Sequence, residues 1–210
     1  AAPGRMPLGR LHVPAQLALL LLVALAVGVP MWFVLRWVVL GGAEIWVPDE
    51  ILPALLQTLL YGVAGAAATT LVAFPMAFLA VRRPSWFTRS LELSNYITSS
   101  MPGIVVGLAF VTVSIRFLPA FYQTAVVLVA AYVLLFLPRA LVSLRSGLAQ
   151  APRELEEAAQ ALGVRPLGAF VRVTLRLTAP AAAGGAALVF LAIVNELTAT
   201  LLLAPNGTRT

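Results

Sequence analysis

Two stretches of this chain carry no charge over lengths that a soluble fold does not need. Val13 to Leu35 is uncharged for 23 residues, and Ile51 to Val81 for 31. A helix rises about 1.5 Å per residue, so about 20 apolar residues cross the hydrocarbon core of a bilayer. Inside lipid every backbone N–H and C=O must be satisfied within the structure, which leaves helices as the way to use such runs. Three further runs have the same character: Leu93 to Ile115; Phe117 to Pro138, entered through a tight turn at Arg116–Phe121 that holds Pro119; and Leu177 to Asn195. The expected fold is therefore all-α, a polytopic transmembrane bundle of five spans. Composition agrees, with 61% hydrophobic and 10% charged residues against roughly 25% charged in soluble domains. A signal peptide fits the first run poorly, because its apolar core would be about 7–15 residues. The tail, Glu196 to Thr210, has 12 uncharged residues from Leu197 to Thr208, interrupted by Pro205. That is too short for a simple span and is expected to form an outside loop.

The charged residues exclude several classes of function. All 14 basic residues are arginine, so the lysine of a P-loop is absent and nucleotide hydrolysis would need another chain. There are no cysteines and one histidine, His12. No cofactor, metal or catalytic residue is expected here, since no nucleophile–base pair or carboxylate pair falls within the spans. The net charge of +6 comes from arginines that flank apolar runs. That is the pattern of membrane topology rather than of a nucleic-acid surface. With residues 1–12 read as a cytoplasmic leader, eleven arginines fall inside (Arg5, Arg10, Arg82, Arg83, Arg89, Arg139, Arg145, Arg153, Arg165, Arg172 and Arg176) and three outside (Arg36, Arg116 and Arg209). This bias orients the bundle.

Several details within the spans carry expectations. Ile51–Val81 exceeds one span, so an interfacial segment is expected before Pro53, after a polar loop over Gly41–Glu50. Gly62, Ala66 and Thr70 recur every four residues and permit close helix packing, as do Gly103 and Gly107, with Pro102 bending the chain ahead of them. Ser94, Asn95, Thr98, Ser99 and Ser100 suit hydrogen bonds between helices. Asn195 and Glu196, polar groups at a span end, are candidates for a translocation path, because an ionisable group at such a place commonly serves permeation.

The most charged segment, Ala151 to Pro180, lies between the last two runs. Pro152 suits a first helical position. Glu154, Glu156 and Glu157 favour a helix N-terminus. Leu155, Ala158, Ala159 and Leu162 fall at i, i+3, i+4 and i+7 and make one apolar stripe with a small centre. Gly163 can close the helix in a left-handed conformation, and Pro166 discourages its continuation. The spacing predicts a short amphipathic helix from about Pro152 to Leu162, a turn, and a new helical start near Leu167. A water-exposed helix between two spans suits docking to a soluble partner.

Glu157-Ala158-Ala159, three residues, then Gly163, resembles the EAA loop of binding-protein-dependent ABC importer permeases of type I. The family continues with nine residues and Ile-x-Leu-Pro, where this chain has Val173-Thr174-Leu175-Arg176 and then Pro180. The resemblance covers roughly residues 51–210, with residues 13–210 as the transmembrane domain and 151–172 as the coupling loop. The runs Met101–Ala109, Leu118–Thr124 and Asn195–Leu203 look most like ferric-iron permeases, whose two homologous halves are often one chain. The basic leader and the first residue, which is not Met, suit the second half, and the family implies one more span after Thr210. The resemblance implies a bacterial inner-membrane permease, not an enzyme. Its implied partners are a separate ATPase carrying ATP and Mg, a periplasmic substrate-binding protein and a second permease half. Glu157, Ala158, Ala159, Leu162 and Gly163 would couple it to the ATPase by alternating access: Glu157 would pair with a basic group, Ala158 and Ala159 would fit a groove, and Gly163 would set the turn. Thiamine, sulfate/molybdate, polyamine and phosphonate permeases share the architecture. The competing class is an ATPase-independent channel or scaffold, which has no need of a small-centred helix with this spacing.

Overall fold

A computed structural model of the chain describes residues 11–42 and 47–208, in two units, residues 1–51 and 52–210. The leader residues 1–10 with Arg5 and Arg10, and also Glu44, Trp46 and Arg209, lie outside the described residues. Among the described residues the regular structure is helical, with no strand. The helices are α1 (His12–Gly41), α2 (Pro48–Arg82), α3 (Trp86–Ser99), α4 (Gly103–Phe117), α5 (Ala125–Ala149), α6 (Arg153–Ala161), α7 (Pro166–Ala169), α8 (Arg176–Val194) and α9 (Thr198–Leu203). A 3₁₀ turn, Pro119–Phe121, leads into α5, and a π-helical turn, Phe170–Leu175, joins α7 to α8. Helices α1, α2, α5 and the continuous stretch Pro166–Val194 are each long and apolar enough to cross a membrane; α3 and α4 together make a fifth if their bent pair counts as one span.

The 30 residues of α1 contain the whole first uncharged run and continue past Arg36. At 35 residues, α2 takes in Pro48–Glu50 from the end of the expected loop, whose residues 43–46 lie outside the described residues, and runs through Pro53 without a break. Asp49 and Glu50 occupy its first turn, where the helix dipole favours them, and Pro53 and Pro75 lie inside it. Its buried face is Gly62, Gly65, Ala66, Thr69, Ala73 and Ala77, with no large side chain among them. Gly62 lies against Phe190 and Val194 of α8, and Gly65 against Ile193 and Tyr132. The expected small-residue seam is present, with Thr69 buried and Thr70 only partly so.

The third run does not form one straight span. Its two halves, α3 and α4, meet at 107°. Ser85 starts α3 through a reciprocal capping box with Thr88, and Pro102 is extended (φ −61°, ψ 143°), so the helix stops before it and restarts at Gly103. The hydroxyls expected between helices bond within α3 instead. Ser94 donates to Ser90 O at 3.0 Å, Thr98 to Ser94 O at 3.0 Å, and Ser99 and Ser100 to Tyr96 O at 2.7 and 3.1 Å. Such back-bonding satisfies the hydroxyl locally and bends helices. Asn95 is buried, and its Nδ2 has no hydrogen-bond partner among the described residues.

The fourth span likewise outruns its expected end. Helix α5 passes through Pro138 and carries Arg139 and Arg145 within it. A proline removes one backbone bond, which a packed helix tolerates when the lost partner is compensated. Arg139 lies 5.3 Å from the Phe136 ring centre, a cation–π contact. The helix that holds the fifth run starts at Pro166, beside the expected start near Leu167, and is continuous through Arg172 and Arg176. The expected outside loop contains α9, which buries Ala199, Thr200 and Leu203.

Helix α5 is the centre of the core. Its Leu128, Ala131, Tyr132, Leu144 and Leu148 gather with Val189 and Ile193 of α8, Ala73 and Ala77 of α2, and Leu203 of α9. The tightest approach is between α5 and α8. A Cβ added to Gly147 would stand 2.4 Å from Ala181 Cβ, and one added to Gly185 would stand 2.7 Å from Ser143 Cβ. Gly147→Val is therefore expected to lower the thermal unfolding midpoint in detergent, since overpacking costs about 1–3 kcal/mol. Gly184→Ala, at a position open on all sides, serves as the control and should leave the midpoint equal or higher.

Candidate functional site

Pro152 is extended (φ −63°, ψ 143°), so it caps α6 rather than occupying the first turn. Helix α6 is thus Arg153–Ala161, one residue shorter at each end than the spacing predicts. Glu154 and Glu156 lie in its first turn. The C-terminal end follows from Gly163, at φ +87°. Its N–H donates to Gln160 O at 2.9 Å and the Val164 N–H donates to Ala159 O at 3.1 Å. These two bonds make a Schellman closure, which turns the chain sharply and satisfies the last carbonyls. No heavy atom lies within 4 Å of where a Gly163 Cβ would stand, so the constraint there is backbone conformation, not space. Pro166 then starts α7 at its first position.

No residue of α6 is buried. Glu157, Ala158 and Gly163 are exposed and Ala159 is half-buried. Leu155 is 48% exposed and Leu162 is 87% exposed. The apolar stripe is thus turned outward at the very tip of the turn.

The root of α6 carries a feature that sequence reasoning missed. Glu156 looks like its acidic neighbours, yet it turns inward. Its Oε2 accepts a hydrogen bond from the Thr174 hydroxyl at 2.6 Å and lies 3.7 Å from Arg82 Nη2. The side chains of Arg82 and Glu156 are 9% and 22% exposed. Arg82 Nη2 also donates to Ala151 O at 3.1 Å, and Arg153 donates to Arg82 O. One turn away, Phe170 in the π-helical turn meets Phe74 and Phe78 of α2 edge-on, with centroids 6.2 and 5.3 Å apart. Small helix α6 is thereby tied at its base to the end of α2 and to the start of α8.

The second candidate pair lies at the other end of α8. Asn195 and Glu196 line a cavity of about 110 Å³ together with Thr58, Tyr61, Tyr132 and Thr200. Tyr132 and Thr200 share a hydrogen bond of 2.6 Å between their hydroxyls. Glu196 Oε1 accepts from the Ala199 N–H at 3.1 Å, so the carboxylate also caps α9. Asn195 Nδ2 is occupied by Leu191 O at 2.7 Å. Gly103 and Gly107 serve packing, as their spacing implied: Gly107 meets Leu202 and Ala199 of α9, and Gly103 meets the Glu196 carboxylate. Among the described residues no group of three His, Cys, Asp or Glu could hold a metal.

Residues 69–210 match the family described as the binding-protein-dependent transport system inner membrane component. The chain belongs to that family. The match takes in α6, its root and the Glu196 side of the cavity, but not Thr58 and Tyr61. Among curated relatives, an Fe(3+)-transport system permease protein of Haemophilus influenzae is 36% identical over 188 residues, 89% of this chain and 37% of the relative. The molybdenum transport system permease proteins of Mycobacterium bovis and Mycobacterium tuberculosis are each 33% identical over 168 residues, 72% of this chain and 63% of theirs. The chain thus spans about a third to two-thirds of the length of these relatives. Membership in an inner membrane component family accords with the long uncharged helices, and the Glu157–Gly163 turn lies within the matched residues.

Proposed function

We propose that this chain is the translocating subunit of an ATP-driven importer, powered by a separate ATPase that docks on α6 from the cytoplasm. The observation that carries this reading is the short helix whose large apolar residue, Leu162, stands 87% exposed beside a left-handed Gly163, between two membrane-spanning helices. A protein with no cytoplasmic partner gains nothing from an outward apolar tip, whereas a partner's groove buries it. Glu157 is placed to meet a basic group on that partner, and Ala158 permits close approach. A substrate-binding protein and a second permease half complete the assembly, and the asymmetry of arginine between the two sides supports an inside position for α6. The resident chain carries no nucleotide chemistry; ATP and Mg belong to the partner.

The substrate favoured is ferric iron. The iron-transport relative supports it, and so does the chemistry of the Glu196 cavity, where a carboxylate, two tyrosines and two threonines offer oxygen donors. Hard cations take oxygen ligands, and a carboxylate would repel an oxyanion such as molybdate. Molybdate is the second reading, favoured by the two mycobacterial relatives. The test is uptake of labelled ferric iron and labelled molybdate, each with its own binding protein, into cells expressing the complete transporter. ATP-dependent accumulation of iron alone is expected; accumulation of molybdate alone reverses the substrate, and ATP-independent flux of either removes the importer reading. Glu196→Gln keeps an oxygen for the Ala199 N–H and removes the charge. It is expected to lower iron uptake about tenfold, the size of one charge-assisted contact, with unchanged protein level on an immunoblot.

A further inference from the structure

We propose that Arg82, Glu156 and Thr174 form a polar latch that positions the docking helix, so that a displacement of α6 reaches α2 and α8 together. This rests on the reading of α6 as the ATPase contact. The three residues come from three separate elements: the last residue of α2, the first turn of α6 and the π-helical turn before α8. One carboxylate oxygen, Glu156 Oε2, takes both the Thr174 hydroxyl at 2.6 Å and the Arg82 guanidinium at 3.7 Å. Arg82 Nη2 reaches Thr174 Oγ1 at 3.5 Å, closing a triangle, and holds the carbonyl of Ala151 just ahead of α6. Thr174 is 1% exposed and the side chains of Arg82 and Glu156 are 9% and 22% exposed, so water reaches the cluster mainly at the carboxylate. Removing one partner leaves the other charge partly buried and unmatched, which is unfavourable. The π-helical turn contributes in a second way: Phe170 wedges edge-on against Phe74 and Phe78, fixing the same corner through packing. π turns interrupt helices where geometry, not stability, is required. Glu157 faces the partner and Glu156, one residue earlier, faces the bundle, so adjacent carboxylates divide docking from transmission.

These 210 residues contain no cysteine, so within them a spin label marks one chosen site once any cysteine elsewhere in the protein is replaced. In the full-length permease, labels at Gln160→Cys on α6 and Leu79→Cys on α2 should give one narrow distance distribution. Glu156→Ala should add a broad second component, the ratio of latched to unlatched helix falling about tenfold for loss of a hydrogen bond to a charged group. Thr174→Val, which leaves the ion pair in place, should do so to a smaller extent and serves if Glu156→Ala is recovered poorly. The exchange Arg82→Glu with Glu156→Arg should restore the narrow component in part, since it rebuilds the ion pair but leaves the Ala151 carbonyl without its donor. A second pair of labels, at Leu60→Cys and Leu188→Cys, reports movement of α2 against α8 in the complex with the ATPase. ATP should shift that distance in the parent, and Glu156→Ala should suppress the shift while the ATPase still co-purifies. An unbroadened distribution in both Glu156→Ala and Thr174→Val, or a full ATP-driven shift in Glu156→Ala, overturns the latch. If the parent permease binds no ATPase, the proposed function falls, while the first pair of labels still decides the latch.

Discussion

Gly163→Val is expected to reduce substrate uptake to background while the protein still reaches the membrane in normal amount. The physical cause is narrow. Gly163 closes α6 at φ +87°, a region that costs an L-residue about 1–2 kcal/mol and is worst for a β-branched side chain. Space is not at issue, because nothing lies within 4 Å of the added Cβ. The strain is relieved by opening the closure, which frees the carbonyls of Ala159 and Gln160 and swings Leu162 away from its place at the tip. No residue of α6 is buried, so the bundle itself is untouched. Asparagine tolerates the left-handed region, and Gly163→Asn should retain most uptake. Uptake assays paired with immunoblots of the membrane fraction check both variants. Normal uptake by Gly163→Val would separate the turn from function.

Leu162→Asp is expected to have the larger effect on assembly. Leu162 is 87% exposed, and an exposed substitution ordinarily changes folding by less than about 0.5 kcal/mol. If its side chain enters a groove on an ATPase, placing a charge there removes an anchor of at least about 2 kcal/mol, or roughly thirtyfold in affinity. Co-purification of the ATPase should fail while the thermal midpoint of the permease stays put. The two variants fail differently: Gly163→Val disorders the turn, and Leu162→Asp keeps the turn and spoils its surface. Retained ATPase binding by Leu162→Asp would place the docking contact elsewhere.

The sequence made the helical bundle and the short helix at Arg153–Ala161 legible because both rest on local rules. Uncharged length marks a span, and a left-handed glycine marks a helix end. The boundaries of the longer helices were less legible for a physical reason. Arg139, Arg145, Arg172 and Arg176 bound the uncharged runs, but a helix has no need to stop there, and α5 and Pro166–Val194 do not. The right-angled break between α3 and α4 was signalled by Pro102, though its size depends on what each half packs against. Helix α9 was hidden because six residues carry too little pattern, and its burial depends on the flat surface at Gly107. Glu156 was the largest omission at the site. Its partner Arg82 is distant in sequence, and nothing local distinguishes it from Glu154 or Glu157. Asn195 and Glu196, chosen only as polar groups at a span end, do line one cavity, but the backbone cap that Glu196 makes to Ala199 could not be read from spacing.

The buried face of α2, built from Gly62, Gly65, Ala66, Thr69, Ala73 and Ala77, has a mechanical corollary. Interlocked large side chains act like gear teeth and must leave their rotamers before two rods can move past each other. A track of hydrogens, methyls and hydroxyls offers no teeth. Its notches at Gly62 and Gly65 instead receive the side chains of Phe190 and Ile193, so a tug applied at one end of the rod is handed on to its neighbours.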